Sequence, residues 1–210
     1  MRQICLRCLR PRNQCYCHQI EPVRAEPFFV ILQHPRERRN PIGTARMAHL
    51  SLPDSRFVEG ADFSEHQGVN DWLVDPGFQP VILFPGPSSF DLSTETREAR
   101  MKRFPPERRL LIFVIDGTWS GALQILKKSR NLAQIPQIHF AFAGRSEYQI
   151  RKQPEDHCVS TVEAIHRILQ VLDPASKPER LLAPFRWMVS EQVRVKTVSQ
   201  KITSFRKRPS

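Results

Sequence analysis

Two groups of residues in this 210-residue chain have the types and spacing to do chemistry. The first is four cysteines within thirteen residues, Cys5, Cys8, Cys15 and Cys17, spaced C-x2-C-x6-C-x-C. Four thiolates close a tetrahedral zinc site, and two close pairs bring ligands together at little loop-closure cost. So short a segment has little apolar material, so a structural zinc would supply its folding free energy. Two disulfides are the rival reading. The start, Met1-Arg2-Gln3-Ile4-Cys5, has no apolar leader, which favours the reducing cytoplasm and therefore the metal. His18 follows Cys17 directly and is a spare ligand. Arg7, Arg10 and Arg12 decorate this knuckle, as suits either RNA contact or a purely structural clip. Cys158 stands alone and reads as a spectator thiol.

The second group is Asp116-Gly117-Thr118-Trp119. Asp116 ends a strongly apolar run, where a carboxylate is costly to desolvate unless it has a task or a partner. Gly117 permits a tight turn, Thr118 suits a helix cap, and Trp119 offers a flat face for stacking. The bland alternative is that Asp116 and Thr118 only cap a helix. Downstream, Ser160 and Thr161 open a helical pattern and suit either an anion site or a plain cap. Arg36, Arg38, Arg145, Arg151 and Lys152 lie in or beside the polar segments around these residues. They read as phosphate contacts or as solvated charge.

These residues need a frame that brings distant segments together. Residues 28–32, 81–84, 110–115 and 138–142 read as strands apolar on both faces, as parallel strands covered by helices are. Residues 55–58 are a weaker strand candidate. Helical spacing marks 43–52, 120–130 and 161–172. The last carries the stripe Ile165, Ile168, Leu169, Leu172 and a capping box of Ser160 and Glu163. Residues 33–39 read as a polar loop, and 86–108 as a long loop with one short helix near 94–102. The alternation predicts an α/β fold with a mainly parallel sheet. Ligands in such sheets bind beyond the carboxyl ends of the strands. The segments leaving residues 84, 115 and 142 are therefore the expected pocket.

Composition narrows the classes. The formal net charge is +11, from 32 Lys and Arg against 21 Asp and Glu. Residues 1–24 hold five Arg and one Glu; residues 186–210 hold seven basic residues and one Glu. The stretch between them is nearly neutral, with 20 basic and 19 acidic residues. A near-neutral body with two cationic ends fits a polyanionic partner, though terminal charge also aids solubility. The basic end reads as an RNA contact or an inert tail, with Phe185, Trp187, Val189 and Val193 able to pack a last helix. No apolar run approaches the roughly 20 residues of a membrane span. No dinucleotide fingerprint, phosphate loop, zinc-protease motif or nucleophile elbow is present.

In order, the chain has Cys5-x2-Cys8 to Cys15-x-Cys17, Gln33-His34-Pro35-Arg36-Glu37, Gly43-Thr44-Ala45-Arg46, Leu83-Phe84-Pro85-Gly86 and Asp116-Gly117-Thr118-Trp119. Arg151-Lys152-Gln153-Pro154 and Ser160-Thr161-x-Glu163-Ala164 follow. This series resembles the DTW-domain family from about residue 4 to about residue 190. The resemblance implies a tRNA-uridine aminocarboxypropyltransferase with a fold related to SPOUT methyltransferases and a knotted cofactor region. With the cysteine spacing it divides the chain into a zinc knuckle at 1–24 and a catalytic domain at 25–190, leaving a basic tail at 191–210 outside the family pattern. The donor would be S-adenosylmethionine and the acceptor N3 of a tRNA uridine, with methylthioadenosine released.

The resemblance also implies roles. Leu83, Phe84, Pro85, Gly86, Ile115, Asp116, Gly117, Cys158, Val159, Ser160 and Thr161 would clasp the donor. Ser160, Thr161 and Arg46 would meet its carboxylate. Asp116, Thr118 and Trp119 would be catalytic, Asp116 as base or as anchor for the donor ammonium. Arg36, Arg38, Arg46, Arg145, Arg151 and Lys152 would contact RNA. No obligate protein partner and no membrane are expected. The alternatives are a methyltransferase of the same fold and a non-catalytic zinc-containing RNA-binding protein.

Overall fold

A computed structural model describes residues 3–141, 146–148 and 159–206, with side chains up to 195. The sequence folds as a three-layer α/β unit around one six-stranded sheet, all of whose pairings are parallel. The strands are β1 (Phe28–Gln33), β2 (Arg56–Glu59), β3 (Phe78–Leu83), β4 (Phe90–Asp91), β5 (Arg109–Asp116) and β6 (Gln137–His139). Their order is β2-β1-β5-β3-β6-β4. The helices are α1 (Ala45–Ser51), α2 (Gln67–Val74), α3 (Arg97–Arg103), α4 (Trp119–Lys128), α5 (Thr161–Leu172) and α6 (Leu182–Arg206).

Alternation along the strands sorts their side chains onto two faces. Phe29 and Ile31 of β1 and Ile112 and Val114 of β5 face one cluster, with α1, α5 and the start of α6. Phe28, Val30, Leu32, Leu111 and Phe113 face the other, with Val69 of α2 and Ala122 and Ile125 of α4. Strands covered on both sides must be apolar throughout, and all six β1 residues are buried. Truncating a filler such as Phe113 to Ala would cost roughly 3–5 kcal/mol.

The knuckle joins the first cluster: Cys8, Tyr16 and Val23 are buried in it, and His18 meets Trp187 of α6 edge-on at 4.8 Å. Arg10, expected as a surface cation, is buried. Its guanidinium lies 5.3 Å over the Tyr16 ring and donates to the Gly43 carbonyl. It therefore ties the knuckle to the body and presents no charge to a partner. Among the described residues no helix is long and apolar enough to cross a membrane.

Several boundaries differ from expectation. The strand β1 runs one residue further, through Gln33, and a 3-10 turn at Pro35–Arg39 replaces much of the expected loop. The expected long loop contains the two-residue β4 as well as α3. Helix α2 was not expected, because Gln67-Gly68-Val69-Asn70-Asp71 carries almost no apolar stripe. The strand expected at 138–142 occupies Gln137–His139, and Phe142 falls outside the described residues. So do Arg145, Arg151, Lys152 and Cys158, and with them most of the third expected loop. The basic end continues α6 to Arg206, with Phe185 and Met188 buried and Val193 44% exposed.

Two histidines have their pKa values lowered by the fold. Burial, reinforced by Arg167, lowers the pKa of His166, whose Nε2 has no hydrogen-bond partner among the described residues. Burial, with Arg46 and Arg56, lowers that of His49. Both pKa values are depressed on folding, so the unfolded chain binds more protons below about pH 6.5 and stability falls with pH there. Denaturant midpoints are expected to drop between about pH 7 and about pH 5. The His49→Gln/His166→Gln double variant should flatten that slope, and an unchanged slope would contradict the assignment.

Candidate functional site

The C-terminal ends of β1, β3 and β5 and the N-terminus of α5 converge. Gln33 and Asp116 end two neighbouring strands and are Cα partners in the ladder. Each continues the row of its strand that faces α5: Phe29, Ile31, Gln33 and Ile112, Val114, Asp116. At the top of these apolar rows the two polar side chains meet, both buried. Gln33 Nε2 donates to Asp116 Oδ2 at 2.9 Å, and Thr161 Oγ1 donates to Asp116 Oδ1 at 2.5 Å. The carboxylate is thus gripped from a strand and from a helix start. Gln33, expected in a loop, instead ends β1. The signal was available: a polar residue closing an apolar strand beside another strand that ends in Asp.

The turn after Asp116 is tight. A Cβ on Gly117 would lie 3.3 Å from the backbone nitrogen of Ala122 and 3.5 Å from His34 Cβ, which explains the glycine. Thr118 caps α4, its Oγ1 accepting from the Gly121 amide at 3.1 Å. Thr118 therefore has a structural task whatever else it does. The His34 amide donates to the Asp116 carbonyl, and its Nε2 faces Gln124 Oε1 at 3.1 Å. Its Nδ1 accepts from the Arg36 amide, so this ring clamps the β1 exit to α4.

Trp119 opens α4 and is 57% exposed. It stacks on Phe84, which follows β3, at 4.9 Å with 21° between the planes. The segment Leu83-Phe84-Pro85-Gly86 is pinned behind it. Phe84 donates its amide to the Ile138 carbonyl, and Ser89 Oγ bonds both the Gly86 amide (3.0 Å) and His139 Nδ1 (2.8 Å). Among the described cations, Arg36 and Arg38 lie exposed on the turn leaving β1, Arg38 beside Glu59 at 3.7 Å. Arg46 lies on α1 with its guanidinium 5.1 Å over the Phe57 ring.

The Ser160 and Thr161 hydroxyls, expected to meet a carboxylate, both donate inside the protein. Ser160 Oγ donates to Glu163 Oε2 at 2.7 Å, and Thr161 to Asp116. Glu163 is a buried hub that sequence reading saw only as half of a capping box, which is present. It also accepts from the Ser160 amide, the Ser146 hydroxyl and the Glu147 amide, at 2.8–2.9 Å. Glu147 in turn receives Arg186 of α6 at 2.7 and 2.8 Å, and that hydrogen-bonded guanidinium holds its carboxyl below the usual range. Val159 precedes the cap and is half-buried.

In the N-terminal knuckle, the four thiols Cys5, Cys8, Cys15 and Cys17 lie within 4.8 Å of one another and are unpaired by disulfides. Cys5 and Cys17 are 3.9 Å apart, and Cys8 and Cys15 3.7 Å. A tetrahedral ion with bonds of about 2.3 Å separates its sulfurs by about 3.8 Å, so the donor set fits such a metal. The amides of Cys8 and Arg7 hold the Cys5 thiol down to about 6, while burial pushes Cys8 and Cys17 up.

The domain family described as "DTW domain" matches residues 2–193. The chain belongs to this family. It is 33% identical over 186 residues to tRNA-uridine aminocarboxypropyltransferase 2 of Drosophila melanogaster, covering 85% of this chain and 69% of that protein. Identity is 31% to the Mus musculus protein of the same name, over 90% of this chain and 63% of the relative. It is 26% to tRNA-uridine aminocarboxypropyltransferase A of Arabidopsis thaliana, over 91% and 81%. The chain thus spans about two thirds of the first two relatives. No solved structure matches. The letters of that description fit Asp116, Thr118 and Trp119, with Gly117 after the first, in the turn that leaves β5.

Two outcomes are expected. Glu163→Ala strands four donors, the amides of Ser160 and Glu147 and the hydroxyls of Ser146 and Ser160, and should cost about 1–3 kcal/mol in denaturant unfolding; an unperturbed midpoint would remove the hub. Purified chain should carry one tetrahedral thiolate-bound metal ion by elemental analysis. Cys8→Ser should lose the ion and lower the melting temperature, and full metal content in that variant would contradict the assignment.

Proposed function

We propose that the protein is a tRNA-uridine aminocarboxypropyltransferase that takes the 3-amino-3-carboxypropyl arm from S-adenosylmethionine. The observation that carries this reading is that the family's namesake turn begins at a buried carboxylate, Asp116, held at the carboxyl ends of parallel strands. Curated relatives with that activity in their names match over most of the chain.

In the reaction, N3 of the uracil attacks the γ-carbon of the arm. The N3–C bond forms and the C–S bond breaks, its electron pair returning to sulfur. Methylthioadenosine leaves as a neutral thioether, and the imide proton passes to Asp116 or to solvent water. The sulfonium is already an activated leaving group, so the protein's main task is placement of the arm, rather than the methyl, against the nucleophile. Asp116 supplies the one carboxylate of the turn, beside the N-terminus of α5. Leu83-Phe84-Pro85-Gly86 and Ile115-Asp116-Gly117 offer backbone groups at two strand ends for the adenosine. Trp119, backed by Phe84 and open to solvent, is a platform for a base. Exposed Arg36 and Arg38 stand on the same edge for phosphates. Cys5, Cys8, Cys15 and Cys17 would hold a structural zinc, whose binding energy stabilises the knuckle against α6.

The test is a reaction of tRNA with S-adenosylmethionine labelled separately in the arm and in the methyl group. Arm label in tRNA, as a uridine adduct by mass spectrometry, is the expected result. Methyl label would make the protein a methyltransferase, and no label with tRNA still bound would make it a binding protein. Asp116→Ala should lose about 10²–10⁴-fold in rate while keeping its fold, and full activity in that variant would remove Asp116 from the mechanism.

A further inference from the structure

A carboxylate in this place has two possible tasks, to accept the imide proton or to hold the donor's ammonium, and its surroundings separate them. A general base works best when its proton affinity lies near the operating pH. Hydrogen bonds donated to a carboxylate stabilise its charged form and move it away from that condition. Asp116 receives such a bond on each oxygen, from Gln33 Nε2 and from Thr161 Oγ1. Neither donor is incidental. Gln33 is buried, reaches Asp116 across a ladder pair, and ends a row that is otherwise apolar. An apolar residue would fit that row equally well, so packing alone does not explain an amide there. Thr161 spends its only hydroxyl proton on Asp116 although the capping box at its helix start is built by Ser160 and Glu163.

We propose that Gln33 is a positioning residue which, with Thr161, holds the Asp116 carboxylate in place to receive the donor's α-ammonium. This assignment rests on the transferase reading above. It sets specificity: a cationic amine on the arm is selected, and the proton from N3 leaves to solvent rather than to Asp116.

The experiment is calorimetric titration of S-adenosylmethionine and of its analogue with hydrogen in place of the α-amino group. Both are titrated into wild type, Gln33→Met, Thr161→Val and Asp116→Asn, each checked for fold by circular dichroism. Wild type should prefer the amine-bearing ligand. Gln33→Met and Thr161→Val should each lower that preference about 10-fold, and Asp116→Asn should abolish it. The analogue should bind all four proteins alike. Equal weakening of both ligands in Gln33→Met and Thr161→Val would mean a merely structural role and overturn the assignment. So would unchanged binding of S-adenosylmethionine by Asp116→Asn with turnover lost, which is the signature of a base. Thr161→Val keeps the test decisive if Gln33→Met does not fold. Wild type that binds neither ligand sinks the transferase reading and this assignment with it.

Discussion

A buried carboxyl group at the end of a strand covered on both faces is the constraint around which this fold is arranged. Asp116 cannot sit there unsatisfied, because an unpaired buried charge costs more than a small domain can spare. Its two identified partners come from β1, the neighbouring strand, and from the first residue of α5. Satisfying it therefore requires the β1–β5 register, the docking of α5 on one sheet face, and the turn at Gly117. The same three requirements bring the strand ends, the stacked Trp119 and the exposed arginines to one edge.

Much of this was legible in the sequence because the elements that form it are strongly patterned. Both-faced apolar runs marked β1, β3 and β5. The stripe of Ile165, Ile168, Leu169 and Leu172 with the Ser160–Glu163 box marked α5 to the residue. Asp116 stood out as a carboxylate closing an apolar run. What escaped was long-range. Gln33 looked like the first loop residue because its reason for being polar lies 83 positions away. Arg10 looked like a surface charge because its partners, Tyr16 and Gly43, are set by how the knuckle docks. Glu163 looked like a cap because its bonds to Ser146 and Glu147 depend on how that segment returns to the helix. Helix α2 escaped for a local reason: only Val69 is buried along it.

The charge distribution acquires a different sense from the structure. The cationic N-terminal segment is not an appendage. Its Cys8 and Tyr16 are core residues, and Arg10 is spent inside. The excess charge near the site comes instead from the turn Pro35–Arg39, inside the stretch that is neutral in sum.

The register of β1 has a consequence for the newborn chain. This strand is entirely apolar through Leu32 and lies in the interior of the sheet, yet β5, its more extensively buried neighbour, is not synthesised until residues 109–116. The nearer neighbour β2 is four residues long and only half-buried, so it shelters little. An emerging polypeptide must therefore carry a sticky, unpaired strand edge through some eighty residues of translation. Contacts of such sequence separation form slowly, and unshielded edges of this kind invite self-association. The dependence that makes the site so well defined in the finished molecule thus leaves the unfinished one with an edge open to self-association.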